Sequence, residues 1–244
     1  MKNLFSVEGR VIVITGATGV LGSSMVEHFA EQGAKVVIIG RNREAGERLE
    51  KAAREQGGEA MFLECDVLNK AMLEQCYQDI MAAYGRIDVL INGAGGNQAA
   101  ATVPPDKTIF DLDVDAVRQV VDLNLFGTIL PTMVFVKAMV EQKSGSIINI
   151  ASEAALRPLT RVAGYGVAKA AVINWTKYMC GELAIKFGVS TLEMNIMMKT
   201  NPEYDHIIDD TVRDMSIERA EEKLIFDSRM AWHFTKGTFK IYLS

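Results

Sequence analysis

Three side chains in the second half of the chain could together move a proton onto a carbonyl oxygen. Tyr165 and Lys169 are four residues apart, so in a helix they share one face. Ser152 lies on the loop before that helix and can approach the same face. Reduction of a ketone needs a hydride on carbon and a proton on oxygen. A free tyrosine, with a pKa of about 10, exchanges protons poorly at neutral pH. A lysine ammonium at about 4 Å interacts with a phenolate by roughly 4 kcal/mol at an effective dielectric of about 20. That could lower the tyrosine by up to about three units before any opposing desolvation. A serine hydroxyl can then hydrogen-bond the carbonyl oxygen and orient it. A tyrosine and a lysine at this spacing also occur by chance on exposed helices, so the pair gains meaning only from the elements around it.

Those elements alternate. Short apolar runs at 11–15, 35–39, 60–64, 87–91 and 146–150 read as buried strands. Between them, helical spacing covers 20–32, 43–56, 70–84 and 113–140, and a last long helix runs over 162–187. Gly33, Gly57-Gly58, Gly85 and Gly188 stop four of these helices. Strand–helix alternation with fully apolar strands predicts an α/β fold, a doubly wound parallel sheet with helices on both faces in a single domain. Such sheets bind ligands at the carboxyl ends of their strands, where Ser152 falls.

The loop after the first strand reads Thr15-Gly16-Ala17-Thr18-Gly19-Val20-Leu21-Gly22. Glycines there let the backbone turn tightly and approach a pyrophosphate, and Gly22 allows close helix–strand packing. A glycine triplet can also be an ordinary tight turn; its position between strand and helix favours the phosphate reading. At the end of the second strand, NAD enzymes usually place an acid for the ribose 2′-hydroxyl. Here Gly40 is followed by Arg41, Asn42 and Arg43. An arginine can grip a 2′-phosphate that an acid would repel, which favours NADP over NAD. The alternative is that the arginines are solvated residues at a helix start.

Composition narrows the partners. The net charge is -5 and the pI about 5.4, without the basic face that nucleic acid requires. Cys65, Cys76 and Cys180 have no metal-ligand spacing, and no metal site is expected. Buried thiols, an N-terminus unlike a signal peptide and the lack of a long uninterrupted apolar window predict a cytoplasmic protein without a membrane span. His28, His206 and His233 lack mutual spacing for a metal. Asp106, Asp111, Asp113 and Asp115 suit helix N-terminal charge.

Over about residues 6–188 these features resemble the short-chain dehydrogenase/reductase family. The residues that carry the resemblance are Thr15 to Gly22, Asp66-Val67 after the third strand and Asn92-Gly93-Ala94-Gly95 after the fourth. Asn124, Ser152, Tyr165 and Lys169 complete it. The resemblance implies a Rossmann-like sheet and an NAD(P)(H)-dependent oxidoreductase that interconverts a secondary alcohol and a ketone. It makes Tyr165 the general acid/base, with Lys169 lowering its pKa and holding the nicotinamide ribose. Ser152 would position the substrate carbonyl, and Asn124 would organise a water chain toward Lys169. Gly16, Thr18, Gly19, Leu21 and Gly22 would bind the cofactor with Arg41 and Asn42. Asp66 would meet the adenine amino group with the Val67 backbone beside it, and Asn92, Ala94 and Gly95 would line the cofactor and support the sheet. One departure is the second glycine, at Gly19 rather than at the position of Val20. Family members pair their long helices into homodimers or homotetramers. Apolar residues on more than one face, Leu125, Phe126 and Ile129, then Ile173, Trp175 and Tyr178, agree with that.

A narrower resemblance is to family members of the D-mannonate oxidoreductase (fructuronate reductase) type. It rests on Gly95-Gly96-Asn97 and on Arg157-Pro158-Leu159-Thr160. It implies a sugar-acid substrate, with Asn97 and Gln98 on hydroxyls and Arg157 on a carboxylate. An equal reading makes Arg157 a solvated loop residue. Residues 1–188 are thus expected to form a dinucleotide-binding core, and 189–244 an atypical C-terminal segment of the same domain. Nineteen glycines fall in the first part and one, Gly237, in the second. The family's proline–glycine turn and glycine-rich last strand are not found there. Residues 192–197 are a candidate sixth strand, 209–226 a candidate helix and 238–243 a candidate strand. The competing expectation is a dinucleotide-binding protein with impaired or no catalysis.

Overall fold

The computed structural model describes residues 6–157, 159 and 161–187, and three short strands beyond them, β6 (Ser190–Thr191), β7 (Leu224–Ile225) and β8 (Phe239–Leu243). The main sheet is parallel. Its strands are β1 (Val11–Thr15), β2 (Lys35–Gly40), β3 (Glu59–Glu64), β4 (Val89–Asn92), β5 (Gly145–Asn149) and β8, in the order β3-β2-β1-β4-β5-β8. The helices are α1 (Val20–Glu31), α2 (Arg43–Glu55), α3 (Lys70–Tyr84), α4 (Val114–Val121), α5 (Gly127–Gln142) and α6 (Ala163–Phe187). Chain order reverses between β1 and β4, so a crevice opens beyond their carboxyl ends.

Pleating sends alternate side chains of β1 and β2 to opposite faces. Val11, Val13, Val37 and Ile39 join one core with Leu73, Ile80, Phe135 and Met139. Ile12, Ile14, Val36 and Ile38 join the other with Val26, Ala30 and Ala53. Both faces are therefore dry, and each fully buried aliphatic side chain contributes about 1.5–3 kcal/mol. Asn42, Asn69 and Asp113 cap α2, α3 and α4 through side-chain oxygens.

The structure departs from the sequence reading in three places. The fourth strand begins at Val89, not residue 87, because the Gln142 amide takes both backbone groups of Ile87 (2.9 and 2.8 Å). The single helix expected over 113–140 is two helices joined by a π turn, Asp122–Phe126, and α5 contains Pro131. Proline cannot supply its backbone hydrogen bond, and π turns often mark functional positions. The run Val114–Gln142 is long and apolar enough to cross a membrane, with an 18-residue window of mean hydropathy 1.6. It packs instead against the sheet, with Asn124 buried in its middle. Third, β7 pairs with β6 as a short parallel ladder, within the stretch expected to be helical. The rest of the candidate helix and the candidate strand 192–197 lie outside the described residues. The expected final strand is present as β8, which pairs with β5.

At the amino ends of the strands, Asp88 ties the start of β1 to the loop before β4. Its carboxylate accepts from the Val11 N–H (2.9 Å), Arg10 (3.2 Å) and Arg86 (3.0 and 2.5 Å). Burial works to raise its pKa, but the Arg86 contact and the Val11 N–H outweigh it and hold the carboxyl below the usual range.

Candidate active site

The loops after β1 and β4 meet at the crevice. Thr15 Oγ1 accepts from the Gly93 and Ala94 N–H groups (both 3.2 Å). Gly16 has φ +68°, and a Cβ there would lie 2.7 Å from the Ala94 Cα. A Cβ on Gly22 would run into the Gly16 carbonyl. Only glycine fits either place. The result is a cleft of about 440 Å³. Gly16, Thr18, Gly19, Leu21 and Gly22 form one wall; Gly40, Arg41 and Asn42 close one end, and Gly93, Ala94, Gly95 and Leu123 lie toward the other. Val20, Cys65 and Val67 complete the lining. α1 opens on this cleft without a side-chain cap and without an acid in its first turn. Its N–H groups and positive dipole end suit a diphosphate, so the residues present fit a dinucleotide.

The sequence-derived cofactor residues divide in three. Gly16, Thr18, Gly19, Leu21, Gly22, Arg41, Asn42, Val67, Ala94 and Gly95 line the cleft. Asp66 adjoins it, with one carboxylate oxygen engaged by the Leu68 N–H (3.0 Å). Asn92 lies beneath it, 1% exposed; its amide donates to Asn149 Oδ1 (2.8 Å) and Thr132 Oγ1 (3.0 Å). The side chain is turned into the core, and Asn92 is not among the residues that line the cleft. Arg43 is set apart from Arg41. It pairs with Glu64 (2.5 Å) and Glu47 (3.4 Å), and these contacts raise its pKa, the Glu64 hydrogen bond most. Among the described residues no carboxylate pairs with Arg41.

Gly95 is the floor on which two of the catalytic candidates, Asn124 and Lys169, converge. A Cβ there would lie 2.6 Å from Asn124 Oδ1 and 3.3 Å from Lys169 Nζ. Asn124 is fully buried; its amide donates to Gly96 O (2.6 Å) and Val120 O (2.8 Å), and its Oδ1 accepts from the Gly96 N–H (3.1 Å). The π turn thus ties α4 to the loop after β4. Lys169 Nζ donates to Ile150 O (2.7 Å) at the end of β5. Burial, with the side chain 4% exposed, lowers its pKa to about 8. The same Nζ stands 5.8 Å from the centre of the Tyr165 ring, which packs against Ala101, Ala116 and Val120. Ser152 Oγ accepts from the Ala154 N–H (3.2 Å), which leaves its hydroxyl proton available for donation.

Two glycines that the motifs do not single out position this group. A Cβ on Gly166 would lie 2.9 Å from Ala154 O, and one on Gly164 3.0 Å from Val117. Their smallness lets the start of α6, with Tyr165 between them, press onto both α4 and the turn after Ser152. The sequence reading also passes over a buried polar chain: Asn149 Nδ2 donates to Thr176 Oγ1 (2.9 Å), which donates to Val172 O (2.8 Å). The readable signal is a polar residue, Asn149, in an otherwise apolar strand.

The substrate candidates are more dispersed. Asn97 is exposed beside the cleft loop. The Gln98 amide donates to Ala116 O (2.9 Å) and Gln119 (3.1 Å), which pins the loop to α4. Arg157 is exposed and forms an ion pair with Glu153 (3.4 Å). Asp113 caps α4, and Asp111 closes a capping box with Thr108. Among the described residues no group of three His, Cys, Asp or Glu side chains could hold a metal. His28 is exposed on α1 beside Glu31, and His206 and His233 lie outside the described residues. The three cysteines are buried.

Known proteins match this chain over most of its length. An uncharacterized oxidoreductase of Haemophilus influenzae is 34% identical over 215 residues, 80% of this chain and 75% of the relative. The crystal structure of a candidate D-mannonate oxidoreductase from Haemophilus influenza with bound NAD superposes with a TM-score of 0.73 at 27% identity. It covers 97% of this chain and 94% of that one. A metagenomic short-chain oxidoreductase in complex with NADP gives 0.67 at 29% identity, with 74% and 79% covered. The short chain dehydrogenase family model matches residues 10–198. With that match laid over the glycine cleft and the α/β sheet, the chain belongs to the short-chain dehydrogenase family and is an oxidoreductase.

Proposed function

We propose that the protein is an NADP(H)-preferring oxidoreductase that interconverts a secondary alcohol and a ketone on a sugar acid, of the D-mannonate/D-fructuronate kind. The observation that carries the reading is the convergence of Asn124 and Lys169 on Gly95, at the inner end of a glycine-walled cleft. The nicotinamide, when bound, supplies or accepts the hydride. Tyr165 delivers the proton to the substrate oxygen, and Lys169, as ammonium, would meet the cofactor's ribose. Ser152 donates its hydroxyl proton to the carbonyl oxygen. Asn124, its amide held by Gly96 and Val120, fixes the backbone beside Lys169 and organises water toward it.

Arg41 carries the coenzyme preference. It lines the cleft next to Gly40, where among the described lining residues no carboxylate competes for a 2′-phosphate. NADPH is therefore preferred, with NAD as the alternative that the NAD-bound neighbour supports. The sugar-acid reading draws on the same neighbour's description. It requires Arg157 to exchange Glu153 for a substrate carboxylate, and Asn97, rather than Gln98, to meet a hydroxyl. Residues 1–188 form the catalytic core in this reading, and 189–244 complete the same domain.

Single-turnover oxidation of bound NADPH tests the proposal with sugar-derived keto acids, simple 2-keto acids and ketones without a carboxylate. The expected result is rapid oxidation by the first group alone. Oxidation confined to ketones without a carboxylate would remove the sugar-acid reading. NADPH that binds tightly and is oxidised by none would favour the second reading, a dinucleotide-binding protein with impaired catalysis.

A further inference from the structure

The end of β2 and the glycine loop are fitted to each other at one point outside the catalytic group. A Cβ built on Gly40 would lie 2.7 Å from Thr18 Oγ1, 2.9 Å from its Cγ2 and 3.3 Å from its Cβ. Gly40 does not have a left-handed φ, so its backbone would accept a side chain. What excludes one is Thr18. Both branches of the threonine face Gly40, and the remaining staggered position on its Cβ holds hydrogen. A rotation of about 120° about χ1 replaces one branch by the hydrogen and leaves a heavy atom in the other place, so no rotamer clears the contact. A serine has a single heavy branch and could turn it away.

The loop cannot withdraw to make room. The Ala17 N–H donates to Ile39 O (3.1 Å), and the Gly19 N–H to Gly16 O (3.0 Å). Gly16 is in turn packed against Ala94. From the other side, the Cys65 N–H donates to Gly40 O (3.0 Å) and holds the end of β2.

We propose that Thr18 is a specificity-determining residue for the coenzyme. It fills the space that a side chain on residue 40 would need, keeps that position free of a carboxylate, and so leaves the ribose 2′ position to Arg41. A carboxylate there would accept from a 2′-hydroxyl and repel a 2′-phosphate. The inference rests on the reading that the cleft takes NADP(H). It adds that the absence of an acid is enforced by the opposing loop, and that residues 18 and 40 must change together for the preference to reverse.

The test compares the full-length protein with Gly40→Asp, Thr18→Ser and the double variant. Fluorescence titration gives Kd for NADPH and NADH, and thermal unfolding is followed without ligand. Gly40→Asp alone is expected to weaken NADPH by about tenfold or more and to melt roughly 3–10 °C lower than its parent. It should gain less than about twofold in NADH affinity, because overpacking displaces the loop that binds the diphosphate. The double variant should recover most of the melting temperature and bind NADH about tenfold more tightly than Gly40→Asp does. A Gly40→Asp protein that melts like its parent and gains NADH affinity as fully as the double variant would overturn the proposal. So would a double variant that recovers its melting temperature without gaining NADH affinity, since Thr18 would then be a packing residue only. Failure of the underlying reading looks different: the parent would bind NADH at least as tightly as NADPH. The thermal coupling between residues 18 and 40, read without ligand, would still be measurable.

Discussion

Gly95→Ala adds one methyl group at the point where Asn124 and Lys169 meet. Gly95 does not have a left-handed φ, so the change brings no backbone penalty and reads packing alone. The new carbon would stand 2.6 Å from Asn124 Oδ1 and 3.3 Å from Lys169 Nζ. A carbon–oxygen contact needs about 3.3 Å, so the Asn124 carbonyl oxygen must retreat by roughly 0.7 Å. It cannot do so and keep its hydrogen bond from the Gly96 N–H, now 3.1 Å. The amide on the same side chain is held at Gly96 O and Val120 O and resists the rotation. Loss of one buried hydrogen bond with a group left unsatisfied costs about 1–3 kcal/mol. If that cost falls on the arrangement needed for turnover, kcat/KM drops roughly 5- to 150-fold, at about 1.4 kcal/mol per tenfold. Steady-state reduction of the best substrate from the keto-acid panel gives the rate, and calorimetry gives the melting temperature. For a chain of this size the same cost lowers Tm by roughly 2–12 °C. Turnover within twofold of the parent, with Tm unchanged, would refute the claim that Gly95 sets the spacing of Asn124 and Lys169.

Tyr165→Phe should abolish reduction while NADPH still binds, since the hydroxyl supplies the proton and little else; near-normal single turnover would remove Tyr165 from its role. Burial lowers Lys169 to about 8, so the free protein's affinity for NADPH should weaken as pH rises through that value and the ammonium is lost. A flat Kd from pH 7 to 9.5 would contradict this. The same shift works against folding below about pH 8, and stability should rise relative to Lys169→Met between about 8 and 10.5, where the unfolded lysine binds more protons. Asp88→Asn should lower Tm by roughly 4–10 °C, because a buried acceptor of two arginines and a backbone N–H is replaced by a neutral amide. Since the Asp88 pKa is depressed, the carboxylate's contribution is present above the unfolded pKa and fades as pH falls through the folded one, so parent and variant should converge in acid; a constant difference would refute it. Finally, Phe126 on the π turn, Met133 on α5 and Val167 and Tyr178 on α6 are exposed apolar side chains. Their faces should pair in a homodimer or homotetramer, and sedimentation as a monomer at micromolar concentration would count against it.

Local chemistry made the outline of this protein legible before any coordinates. A buried parallel strand must be apolar on both faces, so β1, β2 and β5 could be found from runs such as 11–15 and 35–39 alone. A phosphate-binding turn must be glycine, so the wall of the cleft was readable at Gly16, Gly19 and Gly22. Helix periodicity placed Tyr165 and Lys169 on one face. Contacts between segments distant in the chain were not readable, because their cause is proximity rather than pattern. Nothing near Gln98 indicates that its amide belongs to α4, and nothing near Asn92 indicates that it turns into the core to meet Asn149 and Thr132. The break of the long helix at Asn124 goes with that side chain's hydrogen bonds to Gly96 in the loop after β4, which periodicity does not register. The same holds for Gly40. In sequence it is a missing acid, open to explanation by Arg41 alone; only the fold brings Thr18, twenty-two residues earlier, within contact and shows the space for an acid already filled. Sequence determined which residues could do chemistry, because composition and period are local properties. Tertiary structure decided which of them meet, because close packing allows each cavity one set of occupants.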